Sequence, residues 1–135
     1  MKLNPYLTFD GVCREAMNFY KECLNGEIVY LQNFEDSPEP ISEVDKKRVM
    51  HAHLKFGEND LMASDSRTED KMDTGNNIQL SVNLSNPKEM EKIFSRLSKG
   101  GEVHMPIQDT FWGAKFGMLK DKYGIHWMFN CELNN

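Results

Sequence analysis

Two histidines spaced two residues apart offer the clearest chemistry in this chain. His51 and His53 lie in a mostly apolar stretch that is typical of a β-strand. Positions two apart on a strand share a face, so we expect both imidazoles on one side while Ala52 and Leu54 pack on the other. A His-x-His pair can begin a zinc or nickel site. Hydrogen-bonded histidines in a pocket or at the surface are the alternative.

A polar stripe runs along a second predicted strand, 77–84. It consists of Asn77, Gln79 and Ser81, which alternate with apolar residues. We expect this strand to be central, and a central strand with one polar face normally lines water or a ligand. The stripe therefore predicts a cavity, with a simply exposed sheet face as the alternative.

Aromatic residues concentrate between positions 110 and 131. Phe111 and Trp112 are candidates for the wall of a site that takes a planar or apolar ligand, or for core packing. Lys115 can pair with an anionic ligand or with Asp65, or it can lie solvated at a sheet edge.

The last predicted strand alternates two kinds of residue. Trp127 and Phe129 are expected in the core. His126 and Met128 share the other face, so we expect them to line the cavity.

Two helices are predicted to position these strands. The first begins after Asp10, whose side chain can accept hydrogen bonds from the free N–H groups, and ends at Gly26 in the left-handed conformation. The second has Asn86 as its cap and Pro87 at its first position, and two glycines end it.

The two halves superpose when the chain is shifted by 75 residues, so that Phe19 meets Phe94 and Gly26 meets Gly101. Such a run of matches indicates duplication, with chance similarity as the alternative. Each half is predicted as β-α-β-β-β, which gives an α+β domain, 1–135, with modules of about 1–66 and 75–133. The predicted strands are 3–9, 27–34, 48–56 and 60–64, then 77–84, 102–107, 110–119 and 125–131.

Composition narrows the class of function. The net charge is −5 and no dense block of Lys or Arg occurs, which argues against a nucleic-acid binder and an anionic membrane surface. No apolar run is long enough to span a bilayer, and the N-terminus lacks the apolar segment of a secretory signal. The three cysteines lack Cys-x-x-Cys spacing, which favours reduced thiols in a cytoplasmic protein.

Strings throughout the chain carry a resemblance to a known family. They include Leu3-Asn4-Pro5-Tyr6-Leu7-Thr8-Phe9, Ala16-Met17-Asn18-Phe19-Tyr20, Val49-Met50-His51-Ala52, Thr110-Phe111-Trp112-Gly113 and Asp121-Lys122-Tyr123-Gly124-Ile125-His126-Trp127. With the doubled unit, they resemble the vicinal-oxygen-chelate superfamily of glyoxalase I, bleomycin-resistance proteins and extradiol dioxygenases. The strings are most similar to its PhnB-like branch.

The resemblance implies a glyoxalase/bleomycin-resistance-like fold, in which two βαβββ modules form curled mixed sheets around a cavity, and a homodimer. In metal-using members, the first and last strands of each module supply four His, Gln or Glu ligands to a divalent metal. The matching places here are Pro5 or Tyr6, Ala63, Asn77 and Met128. Ala and Met do not ligate a hard ion, so we expect no usual metal site and no cofactor. A divalent metal at a divergent site stays open.

The sequence therefore favours a homodimer that binds a small organic molecule in its cavity. The alternatives are a divergent metal-dependent lyase, isomerase or dioxygenase-type enzyme that uses His51 and His53, and a structural dimer without a ligand. A methyltransferase, a label of this branch, needs a Gly-rich loop after its first parallel strand, and this sequence has none there. The pocket candidates are Tyr6, Thr8, His51, His53, Asp65, Asn77, Gln79, Ser81, Phe111, Trp112, Lys115, His126 and Met128.

Overall fold

The computed structural model describes residues 1–133, which form two compact units. The first unit is Met1–Thr74, and the second begins at Gly75. The predicted domain extends further, so Asn134 and Asn135 lie outside the described residues. Each unit combines one α-helix with a four-stranded mixed sheet, which confirms the α+β class and the βαβββ order.

The first unit has the sheet order β1-β4-β3-β2, in which β1 and β4 are parallel and the other pairs are antiparallel. Helix α1 packs on β2, β3 and β4, and it buries Ala16, Met17 and Tyr20 there because they recur at helical spacing. Two short 3-10 turns, Phe34–Asp36 and Glu43–Asp45, lie in the connection between β2 and β3. The elements are β1 (Tyr6–Phe9), α1 (Cys13–Leu24), β2 (Glu27–Asn33), β3 (Val49–Phe56) and β4 (Asn59–Asp65).

The second unit repeats this arrangement with the order β5-β8-β7-β6 and a parallel pair, β5 and β8. Helix α2 packs on β5 and β8, and its buried residues are Met90, Ile93, Phe94 and Leu97. The elements are β5 (Leu80–Leu84), α2 (Pro87–Leu97), β6 (Glu102–Asp109), β7 (Ala114–Lys120) and β8 (His126–Glu132).

Three strands begin three or four residues later than predicted: β1 at Tyr6, β5 at Leu80 and β7 at Ala114. The first pair of β5 with β8 is Leu80 with Trp127, and β8 itself begins only one residue earlier, at His126. Most of the segment before Leu80 therefore has no strand residue of β8 to pair with. Before β7, the Gly113 N–H donates to the Thr110 carbonyl oxygen in a turn, which takes 110–113 out of the strand. Alternation of residue type extends past these limits because it does not require a partner strand.

The N-terminus of α1 is capped differently from the prediction. The Asp10 carboxylate pairs with the Arg48 guanidinium at 2.9 Å, and no cap residue next to the helix supplies a side-chain oxygen. Instead, the Cys13 N–H donates to Oδ1 of Asp65 at 2.9 Å, across 52 residues of sequence. Asn86 of α2 does act as predicted, since its Oδ1 accepts from the two N–H groups at positions 88 and 89.

The C-terminus of α1 corrects a second expectation. Asn25, with φ of 55°, takes the left-handed conformation that was predicted for Gly26. Gly26 is required for space, because a Cβ there would lie 2.7 Å from the carbonyl oxygen of Lys55. At the matching position Gly101, a Cβ would lie 2.2 Å from the carbonyl oxygen of Lys120. The shift of 75 residues therefore superposes two glycines with the same steric role.

The helices were also compared with the length needed to cross a bilayer. None of the helices within residues 1–133 is long and apolar enough to do so.

Candidate functional site

The predicted histidine pair lies on one face of the first sheet. Ala52 and Leu54 are fully buried on the side where α1 packs. His51 and His53 are half-buried on the opposite side, which confirms the predicted sharing of a face. We call the side of a sheet opposite its own helix its open face.

Three rings lie in contact on the open face of the first sheet. The Tyr6 hydroxyl is 3.0 Å from Nδ1 of His51, and the two rings stack with centroids 5.6 Å apart. Tyr30 lies on β2, the strand next to β3, and its ring centroid is 5.8 Å from that of His51. The tyrosines are 47% and 48% exposed. We call Tyr6, His51 and Tyr30 the aromatic platform.

His53 belongs to a charged cluster beside the platform. Its Nε2 lies 2.7 Å from Oδ1 of Asp60, and the ammonium groups of Lys2 and Lys55 also pair with this carboxylate. The hydrogen bonds from Lys2 and then from His53 and Lys55 outweigh burial and hold the Asp60 pKa well below its usual range. Asp60 is therefore ionised near neutral pH, and the adjacent ammonium groups of Lys2 and Lys55 neutralise its charge.

A cleft of about 480 Å³ opens where the parallel strands β1 and β4 end. Its wall includes the hydroxyl-bearing residues Thr8, Ser64 and Ser66 and the side chain of Arg67. The Ser66 Oγ is buried and has no hydrogen-bond partner within the described part of the chain. Buried hydroxyls are normally paired, so this atom has unused hydrogen-bonding capacity next to the cleft.

Asp65 also borders the cleft, but its carboxylate is engaged. It is buried, and its two oxygens accept hydrogen bonds from the N–H groups of Cys13 and Val49 at 2.9 Å each. The geometry makes Asp65 a joint between α1, β3 and β4. The sequence suggested that Asp65 binds a ligand, but a ligand would have to compete with these two N–H groups for the carboxylate oxygens.

The second sheet has a different open face. Ser81, Met128, Met118 and Met105 form one row across its four strands. His126 lies on the same face as Met128, as expected, and its ring is 5.7 Å from that of His104. Trp127 and Phe129 are 1% and 0% exposed, so the predicted core positions of β8 are confirmed.

The turn before β7 carries the two other predicted aromatics. Phe111 and Trp112 contact each other edge to face and are 97% and 54% exposed. Trp112 also contacts the Phe116 ring, and its Nε1 approaches Oδ1 of Asn130 at 3.5 Å. Exposure at this level excludes core packing within the chain for Phe111.

Lys115 follows this turn on β7. Its ammonium group pairs with the Asp109 carboxylate on the edge strand β6 at 3.1 Å. Strand β7 lies between β8 and β6, so the predicted position of Lys115 at a sheet edge is wrong. The predicted pairing with Asp65 stays a prediction.

The predicted polar stripe falls partly outside the sheet. Asn77 and Gln79 are exposed and precede β5, whereas Ser81 is exposed on β5 itself. Strand β5 is the first in the order β5-β8-β7-β6, so the prediction that it is central in its sheet is wrong. Farther along, Asn83 and Asn130 line a cleft of about 370 Å³. This cleft lies where the parallel pair β5 and β8 ends, as in the first unit. A ligand role for the stripe stays a prediction.

The superfamily's metal places can be located from the strand register. Leu7 lies opposite Ala63 in the first sheet and Val82 lies opposite Phe129 in the second. Because Leu7 and Val82 match in the repeat, Ala63 matches Phe129 and faces the helix. The predicted match of Ala63 with Met128 is one residue out of register.

The corrected residues at these places do not fit a hard metal ion. Met62 takes the place of Ala63 and matches Met128, so a thioether occupies the open face in both units. The neighbours on the first strands are Tyr6 and Ser81, so Ser81 takes the place predicted for Asn77, which precedes β5. Within residues 1–133, no three His, Cys, Asp or Glu side chains lie close enough together to hold a metal. A thioether is a poor ligand for the divalent ions that this superfamily uses.

All three cysteines are buried: Cys13, Cys23 and Cys131. Burial, with a smaller contribution from the Asp65 charge that Arg14 opposes, raises the pKa of the Cys13 thiol to about 12. A thiol of this kind is inert as a nucleophile.

Two residues of the open faces were missed: Tyr30 and Asp60. Tyr30 follows a bulge in β2, between Ile28 and Tyr30, that shifts the alternation by one residue. Asp60 stands in a hairpin sequence and resembles a turn residue. Asn130 shares the face of Met128, as the period of two along β8 predicts.

Comparison with known proteins places this geometry in a family. The sequence profile described as 3-demethylubiquinone-9 3-methyltransferase matches residues 1–129. The chain belongs to this family. The crystal structure of protein PA1353 from Pseudomonas aeruginosa is 40% identical, covers 99% of both chains and superposes with a TM-score of 0.91. A PhnB protein from Bacillus cereus is 29% identical, covers 97% of this chain and 99% of its own, and has a TM-score of 0.81.

The fold is shared with a more distant structure. A glyoxylase/bleomycin resistance protein/dioxygenase domain from Frankia sp. EAN1pec is 15% identical and covers 98% of this chain and 97% of its own, with a TM-score of 0.66. The family match and the Bacillus cereus structure confirm the resemblance to the PhnB-like branch, and the Frankia domain confirms the glyoxalase/bleomycin-resistance fold.

The family's description implies a methyl donor, and the residues after β1 were tested against one. The turn is Asp10-Gly11-Val12, with a single glycine. The Arg48 guanidinium occupies the space over that glycine, since a Cβ on Gly11 would lie 3.2 Å from Nη2. These residues do not form the glycine-rich cradle that a nucleotide-bearing donor needs.

Proposed function

We propose that this chain is a cytoplasmic homodimer that binds a small organic molecule on the open faces of its sheets, without the superfamily's usual metal site. The aromatic platform is the observation that carries the proposal. Three rings lie in contact, and two of them are half exposed beside hydrogen-bonding groups. Small-molecule sites typically combine aromatic walls with a few polar groups that fix orientation.

Two further observations support a binding role. A cleft whose wall carries three hydroxyl-bearing residues lies at the end of β1 and β4. The superfamily's metal places carry methionines, whose thioethers do not stabilise an oxyanion on a substrate. The dimer and the cytoplasmic location rest on the resemblance to the superfamily and on the reduced cysteines.

Native mass spectrometry of protein purified without added ligand or metal tests the proposal. We expect the mass of two chains plus a small organic molecule that denaturation releases. A monomeric mass at micromolar concentration contradicts the dimer. A dimer that retains no small molecule, and that no member of a panel of small organic compounds stabilises against heat, contradicts the binding function.

A divergent metal-dependent enzyme is the second candidate. It is favoured by the shared face of His51 and His53 and by the carboxylate of Asp60 at 2.7 Å from His53. Metal analysis of the same preparation separates the candidates. Stoichiometric zinc, nickel or manganese that is lost in His51→Gln with His53→Gln, but kept in the control His104→Gln, supports the enzyme and contradicts the metal-free protein.

A further inference from the structure

The aromatic platform presents a defined set of hydrogen-bond donors. The Tyr6 hydroxyl lies in hydrogen-bonding distance of Nδ1 of His51. When the phenol donates to Nδ1, the neutral imidazole carries its hydrogen on Nε2. No group among residues 1–133 pairs with this Nε2. In this tautomer, His51 keeps an N–H donor for a ligand.

Gln32 supplies a second donor next to the first. The Tyr30 hydroxyl donates to Oε1 of Gln32 at 2.7 Å, which orients the carboxamide. The amide nitrogen of Gln32 keeps its two hydrogens for another partner. Gln32 lies directly opposite His51 in the pairing of β2 with β3, so both donors belong to neighbouring positions on one face.

The rings beside these donors are suited to a flat ligand. Tyr6 and His51 have planes within 26° of each other, and Tyr30 continues the surface on the far side of the imidazole. The His51 and Tyr30 rings are held by hydrogen bonds and by each other, so less conformational entropy is lost on binding.

The charged cluster beside the platform is balanced. The ammonium groups of Lys2 and Lys55 lie with His53 around the carboxylate of Asp60, and Glu27 stands opposite Lys55 in the pairing of β2 with β3. Two cations therefore meet two anions, and the preference for acceptor oxygens rests on the N–H donors of His51 and Gln32.

We infer that the platform recognises a planar conjugated ring that carries acceptor oxygens, such as an aromatic carboxylate. The ring stacks on Tyr6 and Tyr30, and its oxygens accept hydrogen bonds from His51 and Gln32. This inference rests on the proposed binding function and names the class of its ligand.

A matched pair of probes tests the inference on the full-length protein. 2-Naphthoate is flat, whereas decahydro-2-naphthoate has the same carbon skeleton and charge but no flat ring. Titration monitored by NMR is expected to shift the signals of Tyr6, His51 and Tyr30 with naphthoate, and the saturated acid is expected to bind at least about tenfold more weakly.

Substitutions separate stacking from hydrogen bonding. His51→Phe keeps a ring and removes the donor, and Phe116 stands at the matching position of the second sheet. We expect this change to weaken naphthoate binding about tenfold, because a hydrogen bond to a charged acceptor is lost. Tyr6→Phe removes the hydroxyl that orients His51 and is expected to weaken binding about threefold. His104→Phe, on the second sheet, is the control and is expected to leave binding unchanged.

Three results would overturn the inference. They are equal binding of the two acids, binding that shifts signals elsewhere only, and unchanged affinity in His51→Phe. In each case, a small molecule found in the purified dimer would leave the proposed function standing. Protection of the platform by a second copy of the chain also overturns the inference, and it would appear as a change in dimer stability in His51→Phe.

Discussion

The two sheets share a strand order and nearly the same register, yet their open faces differ in chemistry. One row of the first sheet contains Tyr6, Met62, His53 and Tyr30. The matching row of the second contains Ser81, Met128, Met118 and Met105. The first row can stack and hydrogen-bond, whereas the second offers flexible, polarisable thioethers that adapt to varied partners.

The helix-facing sides of the two sheets differ in the sizes of the side chains at matching positions. Ala63 of the first sheet matches Phe129 of the second, and Ala52 matches Gly117. Phe129 packs edge to face with Phe94, with centroids 5.6 Å apart. The same fold therefore accommodates two different sets of core side chains. The open faces, which do not pack against the helices, can differ in function.

The largest effect is expected when the second core is made to resemble the first. Phe129→Ala removes the ring against which Phe94 packs and leaves a cavity, so we expect a loss of about 3–5 kcal/mol in the free energy of unfolding. Urea denaturation followed by circular dichroism measures this loss.

Gly117→Ala probes the same packing from the opposite strand. Its Cβ would lie 2.9 Å from the Phe94 ring, so we expect a loss of about 1–3 kcal/mol. In the double variant with Phe129→Ala, the Phe94 ring can move away, and the total loss should be smaller than the sum of the two. Strictly additive losses would show that Phe94 does not couple these positions.

A contrast in stability is also expected between the two helix caps. Asp65→Ala leaves the buried N–H groups of Cys13 and Val49 without acceptors, and about 2–4 kcal/mol should be lost. Asn86→Ala at the exposed start of α2 should cost about 1 kcal/mol. Denaturation midpoints of both variants test the order. Equal losses would mean that water replaces the Asp65 carboxylate.

The smallest effect concerns acid stability. The Asp60 pKa is lowered in the folded protein, so the charged carboxylate stabilises the fold above the unfolded-state pKa of about 4. That contribution is lost as the pH falls from about 4 towards the folded pKa. Denaturation midpoints between pH 5 and pH 2.5 should therefore fall more steeply for the native protein than for Asp60→Asn.

Part of this acid sensitivity belongs to another group. The pKa of Asp45 is also lowered, first by the hydrogen bond from the Thr68 backbone N–H. Some pH dependence should thus persist in Asp60→Asn. Identical slopes for both proteins would show that the Lys2, His53 and Lys55 contacts do not favour the charged form of Asp60.

Local patterns were sufficient to predict most of the fold. The shift of 75 residues located the helices and the paired glycines, because helix periodicity and tight packing both impose constraints on nearby residues. The failures came where a distant contact decides the outcome. Asp10 resembles a cap for α1, yet Arg48 takes its carboxylate and Asp65 caps the helix from the far end of β4.

The site was less predictable because register depends on loop length. Four residues separate Lys55 from Asp60 in the first hairpin, whereas five separate Lys120 from His126 in the second. The extra residue fits a turn with Gly124 at φ of 91°. Because of this extra residue, Met128 corresponds to Met62 in the repeat, and Ala63 corresponds to Phe129, which faces the helix. The pairing of His51 with Tyr6 depends on side-chain geometry that strand alternation does not specify.

The distant cap of α1 has a consequence for how the chain acquires its structure. The Asn86 cap of α2 bonds groups two and three residues away, so this helix can begin as soon as its own segment is available. The Asp65 cap of α1 closes a separation of 52 residues, and the entropy of that closure must be met first. Helix α2 can therefore form early and seed its half of the molecule, whereas α1 becomes stable only when the last strand of its sheet has docked.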